Sequence, residues 1–171
     1  MKSLKILSVI LLLSVLTFAQ NEEIQQGKKA PNFKGTTLDG KNIELNKMLG
    51  KGPILVSFWA TWCKPCMEEL NEYQKIYEEY KQSGFEFIAI STDNEKTIAK
   101  VKPLVKSKQS SFTVITDSNS EIARKYYAYQ IPYSVLIDKN GTVVYSHSGF
   151  MKGDEIKIKK LVKEQLNIST N

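Results

Sequence analysis

The feature that most constrains this chain is a Cys-x-x-Cys pair between a predicted strand and a predicted helix. An apolar run over residues 54–60 is typical of a buried strand, and apolar residues then recur at helical spacing to about Gln82. Cys63 therefore falls at the start of a helix, where unpaired N–H groups and the helix dipole favour a thiolate. Cys66 follows about one turn later, so the two sulfurs can close a small, reducible disulfide.

The residues themselves leave two other interpretations of this pair open. A structural disulfide would stabilise the fold only weakly, because it closes so short a loop. A zinc site needs four ligands, and the chain offers one histidine, His147, besides its two cysteines. A redox site is the interpretation that the strand–helix context favours. We expect no bound metal and no cofactor other than the redox-active disulfide itself.

The first nineteen residues have the pattern of a secretory signal peptide. Two lysines precede an apolar run over residues 6–18, and small residues follow at its end. An uncleaved membrane anchor is the alternative, although a span needs ~20 apolar residues. The sequence thus divides into a signal peptide over residues 1–19, a flexible lead-in over 20–30 and one domain over 31–171. Such a leader predicts an exported protein of the periplasm or cell envelope.

Charge narrows the partners that the chain can bind. The formal net charge is +6, and the lysines are scattered along predicted helix faces. No basic stripe interleaved with aromatic residues is present, so nucleic-acid binding is not expected. We expect a monomer whose partners are other proteins.

The predicted elements follow the order of an α/β domain. They are a hairpin over 33–45, strands over 53–59, 85–91 and 112–116, helices over 63–82, 95–108 and 117–127, a hairpin over 134–147 and a last helix over 154–166. Strands separated by helices must be parallel, and the late hairpin is antiparallel. A mixed sheet with helices on both faces results. Pro103 should kink or split the helix in which it lies.

Two segments resemble a known family. Residues 58–66, FWATWCKPC, closely resemble the active-site segment of thioredoxin-fold proteins, and residues 130–138, QIPYSVLID, resemble the family's cis-proline segment. The leader, the N-terminal hairpin, the inserted helix near 95–108 and Glu69 point to the exported TlpA/ResA branch of thiol–disulfide oxidoreductases. The resemblance implies a thioredoxin-like three-layer fold with a mixed central sheet, an N-terminal β-hairpin and an inserted central helix.

The resemblance also implies roles for individual residues. Cys63 would be the attacking thiol and Cys66 the resolving one. Pro132 would be cis, and Ile131 would offer backbone groups to an extended substrate. Flanking residues would support this site: Trp62 as an exposed contact surface beside the first cysteine, Pro65 in the first helical turn, and Lys64 as a positive charge that favours the thiolate.

The sequence departs from the family pattern at two positions that affect the site. Thioredoxin itself has a buried aspartate where this chain has Ser57. Glu95 or Asp93, at the start of the inserted helix, could replace that acid, and ordinary helix capping is the alternative for both. Tyr133 follows the predicted cis-proline where threonine is usual, and its ring either lines the substrate groove or lies in the core.

The resemblance implies an envelope thiol–disulfide oxidoreductase that exchanges a disulfide with cysteines of exported proteins. The branch suggests a reductant, with apocytochrome c as one substrate and a transmembrane thiol donor that restores the dithiol. Two alternatives stay open. One is an oxidant or isomerase of exported-protein disulfides, and the other is a non-enzymatic module that binds copper or acts as a chaperone.

Overall fold

A computed structural model describes residues 24–168 of the chain. The signal peptide predicted over residues 1–19 lies outside this range. Within it, no helix has both the length and the apolar character needed to cross a membrane.

A central sheet of five strands organises the domain. The elements in chain order are β1 (Lys34–Thr36), β2 (Asn42–Glu44), α1 (Leu45–Met48), β3 (Ile54–Trp59), α2 (Lys64–Tyr80), β4 (Glu86–Ser91), α3 (Val101–Ser107), β5 (Thr113–Thr116), α4 (Glu121–Lys125), β6 (Tyr133–Ile137), β7 (Val143–Ser148) and α5 (Asp154–Gln165). The strand order is β5-β4-β3-β6-β7, and β1 and β2 form a separate antiparallel hairpin. Strands β3, β4 and β5 are parallel, whereas β6 and β7 run antiparallel to their neighbours. The predicted thioredoxin-like fold is confirmed.

Strand β3 lies at the centre of the sheet and is buried along its whole length. Its side chains alternate between two apolar cores, as the two-residue period of a strand requires. Leu55 and Trp59 face the core that contains residues of α2, α3 and α5. Val56 and Phe58 face the opposite core, which contains residues of α1 and α4. Helices therefore cover both faces, and Ser57 falls on the face that α2 covers.

The inserted helix begins later than the sequence predicts. Residues 98–100 form a 3-10 turn, and α3 starts only at Val101. Pro103 consequently lies in the first turn of α3, where its missing N–H breaks no hydrogen bond. The proline thus sets where the helix begins and does not interrupt its interior.

The described part of the predicted flexible lead-in pairs with the sheet. Lys29 bridges to Thr142, the Gly27 N–H donates to the Val143 carbonyl at 2.8 Å, and Ile24 is buried. These contacts cover the outer edge of β7.

The opposite edge of the sheet is covered by the N-terminal hairpin. Thr37 bridges to Ile115 of β5, and the Leu38 N–H donates to the Val114 carbonyl at 3.2 Å. Gly35 lies so close to this strand that a Cβ atom on it would approach Ile115 Cδ1 to 2.6 Å. A larger residue at position 35 would therefore displace the end of the Ile115 side chain where the hairpin crosses β5.

Candidate active site

The two cysteines form a disulfide at the N-terminus of α2. Their sulfurs are 2.01 Å apart. Cys63 is the N-cap residue of the helix, and its Sγ accepts a hydrogen bond from the Cys66 N–H at 3.3 Å. Cys63 is 5% exposed and Cys66 is fully buried. Of the two cysteines, only Cys63 has any exposure to solvent.

Exposed residues surround this nearly buried disulfide. Trp62 is 66% exposed, as predicted, whereas Trp59 at the end of β3 is buried. Lys64 and Pro65 are exposed in the first turn of α2. The predicted supporting residues of the Cys-x-x-Cys segment thus form an accessible rim.

The predicted cis-proline segment meets the cysteine loop at one end of the sheet. The Ile131–Pro132 peptide bond is cis, as expected. Tyr133, the first residue of β6, pairs with Phe58 near the end of β3, and the cysteine loop follows directly. The Gly149 N–H donates to the Pro132 carbonyl at 2.8 Å and attaches the segment to the end of β7. Of the two interpretations of Tyr133, burial in the core is correct.

A buried carboxylate lies one helical turn after Cys66. Glu69 of α2 is fully buried, and its Oε2 accepts a hydrogen bond from Ser57 Oγ at 2.5 Å. Its Oε1 accepts a second hydrogen bond from Ser134 Oγ at 2.8 Å. The two serines are directly opposite each other on β3 and β6, so the sheet presents a pair of hydroxyl donors to one side chain of the helix.

Burial controls the protonation of this carboxyl group. It raises the pKa of Glu69 from 4.5 to about 7, against the hydrogen bonds from Ser57, Ser134 and Tyr73, while the nearby charge of Asp154 raises it further. A group that titrates near neutral pH can accept or release a proton during a reaction. The i,i+3 spacing on one helix places Cys66 and Glu69 on the same face.

The buried acid beside Ser57 is thus Glu69, and neither of the two candidates named from the sequence, Glu95 and Asp93, takes that place. Glu95 is exposed in the turn before the inserted helix and does not occupy a buried site. Glu69 binds Ser57 itself, the position that carries the aspartate in thioredoxin. A sequence signal for it exists, because Glu69 lies within the apolar stripe that includes Cys66 and Tyr73.

Asp93 has a different function in the structure. Its carboxylate accepts hydrogen bonds from the Thr61 N–H at 2.8 Å, from Thr61 Oγ1 at 2.6 Å and from Ser91 Oγ at 2.9 Å. Burial opposes its ionisation, but these hydrogen bonds prevail and hold the pKa of Asp93 below its usual range. Asp93 thus holds the loop that leads from β3 to Cys63.

Comparison with known proteins agrees with this geometry. The model of the AhpC/TSA family matches residues 26–146, which is most of the chain. The chain belongs to the AhpC/TSA family. This AhpC/TSA-family protein is 41% identical over 140 residues to the thiol-disulfide oxidoreductase ResA of Bacillus cereus (strain ATCC 10987 / NRS 248), covering 82% of this chain and 77% of that protein. It is 34% identical over 134 residues to ResA of Bacillus subtilis (strain 168), covering 78% and 73%.

A solved structure shows the same similarity. A candidate thiol:disulfide interchange protein DsbE from Chlorobium tepidum superposes with a TM-score of 0.77 and 27% identity, covering 84% of this chain and 99% of that one. The family, the relatives and the fold agree on one enzyme class. This AhpC/TSA-family protein is a thiol–disulfide oxidoreductase.

Proposed function

We propose that this enzyme reduces disulfides of other exported proteins, with Cys63 as its nucleophile. The observation that carries the proposal is the asymmetry of the pair: Cys63 caps α2 and is the more exposed of the two residues, whereas Cys66 is fully buried, one turn before the buried Glu69. The leader pattern over residues 1–19 supports export to the periplasm or cell envelope.

The first step forms a mixed disulfide. In the reduced enzyme, the Cys63 thiolate attacks one sulfur of a substrate disulfide. The substrate S–S bond breaks, and its other sulfur leaves as a thiolate. Hydrogen bonding from the Cys66 N–H and the charge of Lys64 both favour the ionised Cys63. An extended substrate chain would dock against Trp62 and the backbone of Ile131.

The second step resolves this intermediate. Cys66 transfers its proton to the Glu69 carboxylate, and its sulfur attacks Cys63 Sγ. The mixed disulfide breaks, the second substrate thiolate leaves and takes up a proton, and the Cys63–Cys66 disulfide forms. Two electrons have passed from the enzyme to the substrate. A transmembrane thiol donor then returns the enzyme to its dithiol form, and apocytochrome c, whose cysteines must be reduced before haem attachment, is one substrate that fits.

A trapping experiment tests this function. Cys66→Ser should retain physiological substrates as mixed disulfides on Cys63, which mass spectrometry of the captured proteins would identify. Cys63→Ser is the matched control and should capture none, because only the buried thiol remains. Capture by both variants, or by neither, contradicts the proposal.

The reduction potential tests the direction of electron flow. A value near about −250 mV, measured against a glutathione or dithiothreitol couple, supports a reductant. A value near about −120 mV would instead identify an oxidant. The double variant Cys63→Ser/Cys66→Ser should lose all activity on protein disulfides, whereas a chaperone would keep its activity.

A further inference from the structure

A histidine–aspartate pair joins β7 to the start of α5. His147 Nε2 lies 3.3 Å from Asp154 Oδ2, and both side chains are about one-third exposed, at 35% and 28%. The same Asp154 oxygen accepts a hydrogen bond from the Met151 N–H at 2.8 Å, which fixes the carboxylate in place. The imidazole also stacks on the Tyr145 ring, with the centroids 6.1 Å apart. Local contacts thus fix both side chains, His147 on β7 and Asp154 at the start of α5.

This pair lies next to the buried carboxylate of the active site. His147 and Ser134 are directly opposite each other on β7 and β6, so their side chains project to the same face of the sheet, with Cβ atoms roughly 5 Å apart. Ser134 Oγ is the donor to Glu69 Oε1. One serine side chain therefore separates the position of His147 from the Glu69 carboxylate.

Charged and titratable groups face this region from three elements. They are Glu69 and Tyr73 from α2, Tyr145 and His147 from β7, and Asp154 and Lys157 from α5. The Lys157 ammonium lies over the Tyr145 ring, 4.3 Å from its centroid, and not on the carboxylates. Asp154 acts on Glu69 through its charge and raises the pKa of that group. A cation paired with Asp154 would reduce this effect.

We propose that His147 and Asp154 are positioning residues for the dithiol reaction. This pair at the protein surface controls how readily the buried Glu69 ionises. With His147 protonated, the charge of Asp154 is balanced and Glu69 ionises more readily. With His147 neutral, Asp154 favours the protonated form of Glu69, which cannot take the proton of Cys66. This inference rests on the proposed role of Glu69 as the proton acceptor.

The charge coupling can be measured without turnover. We would follow the carboxyl carbon of Glu69 by NMR against pH in the oxidised, 13C-glutamate-labelled protein, in which neither cysteine titrates. Asp154→Asn should lower the midpoint of Glu69 by roughly a few tenths of a pH unit to one unit. Asp154→Glu, which keeps the charge, should restore it. Glu155→Gln is the matched control, because it removes one charge from the same turn of α5 and should leave the midpoint unchanged.

Variants at His147 test the other half of the pair. His147→Lys keeps a permanent cation beside Asp154, whereas His147→Gln removes the cation, so the Glu69 midpoint should be lower in the lysine variant. The pH profile of protein-disulfide reduction should shift in the same direction as the midpoint in each variant. Equal midpoints in Asp154→Asn and Glu155→Gln, equal midpoints in the two His147 variants, or a pH profile that does not follow them would each overturn the inference.

The experiments give different results if the proposed function is wrong and if only the effect of His147 and Asp154 on Glu69 is wrong. If the enzyme does not reduce protein disulfides, the wild type itself shows no turnover, while the carboxyl titrations still report whether the pair acts on Glu69. If the enzyme is active but the pair does not position it, the wild type and all of the His147 and Asp154 variants share one pH profile.

Discussion

At Glu69, the fold favours the protonated carboxyl group, whereas the proposed reaction needs the carboxylate. Folding raises its pKa from 4.5 to about 7, because burial disfavours the carboxylate. A raised pKa stabilises the fold while the group is protonated. The contribution is therefore complete below the unfolded value of 4.5 and is lost as the pH rises through about 7. The shift corresponds to about 3 kcal/mol.

Glu69→Gln should remove this pH dependence of stability. Glutamine has nearly the same shape but cannot ionise, so the free energy of unfolding of the wild type should fall by about 3 kcal/mol relative to the variant between pH 4.5 and 7.5. Urea denaturation of the oxidised proteins across this range measures the difference. Glu68→Gln, an exposed position on the same turn, should follow the wild type. Parallel curves for Glu69→Gln and wild type would contradict the assignment of the buried acid.

Cys63 gives a second prediction at the scale of one residue. Its position as the N-cap of α2 places the sulfur against the Cys66 N–H, which stabilises a thiolate more than a thiol. In the reduced Cys66→Ser variant, the midpoint of iodoacetamide labelling against pH should lie below the ~8.5 of a free cysteine. Adding Lys64→Gln should raise this midpoint slightly. A midpoint at or above the free value in Cys66→Ser would rule out activation by the helix.

Two elements meet at Asp93, and this contact positions the reactive loop. The carboxylate follows β4 and holds Thr61, two residues before Cys63, so β4 determines where the loop after β3 lies. Asp93→Ala would leave buried donors without an acceptor, at a cost of about 1–3 kcal/mol in the free energy of unfolding. Disulfide reduction should slow at the same time, because the loop before the nucleophile loses its attachment.

The pH dependence of the Asp93 contact has the opposite sign to that of Glu69. The pKa of Asp93 is lowered in the fold, so its contribution is present above its ordinary value of 3.8 and is lost as the pH falls through the folded value. The destabilisation caused by Asp93→Ala should therefore shrink in acid, as urea denaturation at a series of pH values would show. Glu95→Ala is the matched control on the neighbouring exposed turn and should change neither stability nor rate. A pH-independent effect of Asp93→Ala would argue against an ionised Asp93 carboxylate that holds Thr61.

Helices and strands with a clear hydrophobic periodicity could be predicted from the sequence. The contacts that their side chains make with other elements could not. Strand β3 and helix α2 follow from an apolar run and a helical stripe, and with them the placement of both cysteines. The partner of Ser57 depends on how α2 rotates over the sheet, which local pattern does not encode. Glu95 lies at the start of a predicted helix, and Glu69 interrupts an apolar stripe. From the sequence, either acid could therefore be the one that is buried beside Ser57. Tertiary packing decides between them.

At the scale of the whole molecule, the chain before β3 covers both edges of the central sheet. Residues 24–30 lie along β7, and the β1–β2 hairpin lies along β5. Uncovered edge strands present unpaired N–H and C=O groups that recruit other chains. Strand β7 also holds the cis-proline segment through Gly149 and carries His147. Its outer edge therefore matters to the site as well as to the fold.

Removing the segment that covers β7 should weaken the whole domain. A version that begins at Pro31 loses the hydrogen bonds between residues 27–30 and 141–143 and the buried side chain of Ile24. Burial of one such side chain is worth roughly 1.5–3 kcal/mol and each of the three backbone hydrogen bonds about 1 kcal/mol, so we expect a loss of about 4.5–6 kcal/mol in the free energy of unfolding. A version that begins at Ile24 keeps every one of these contacts and is the control. Urea denaturation measures the loss, and light scattering should show association of the shorter version through the exposed strand edge. Equal stability of the two versions would mean that the sheet is closed without this segment.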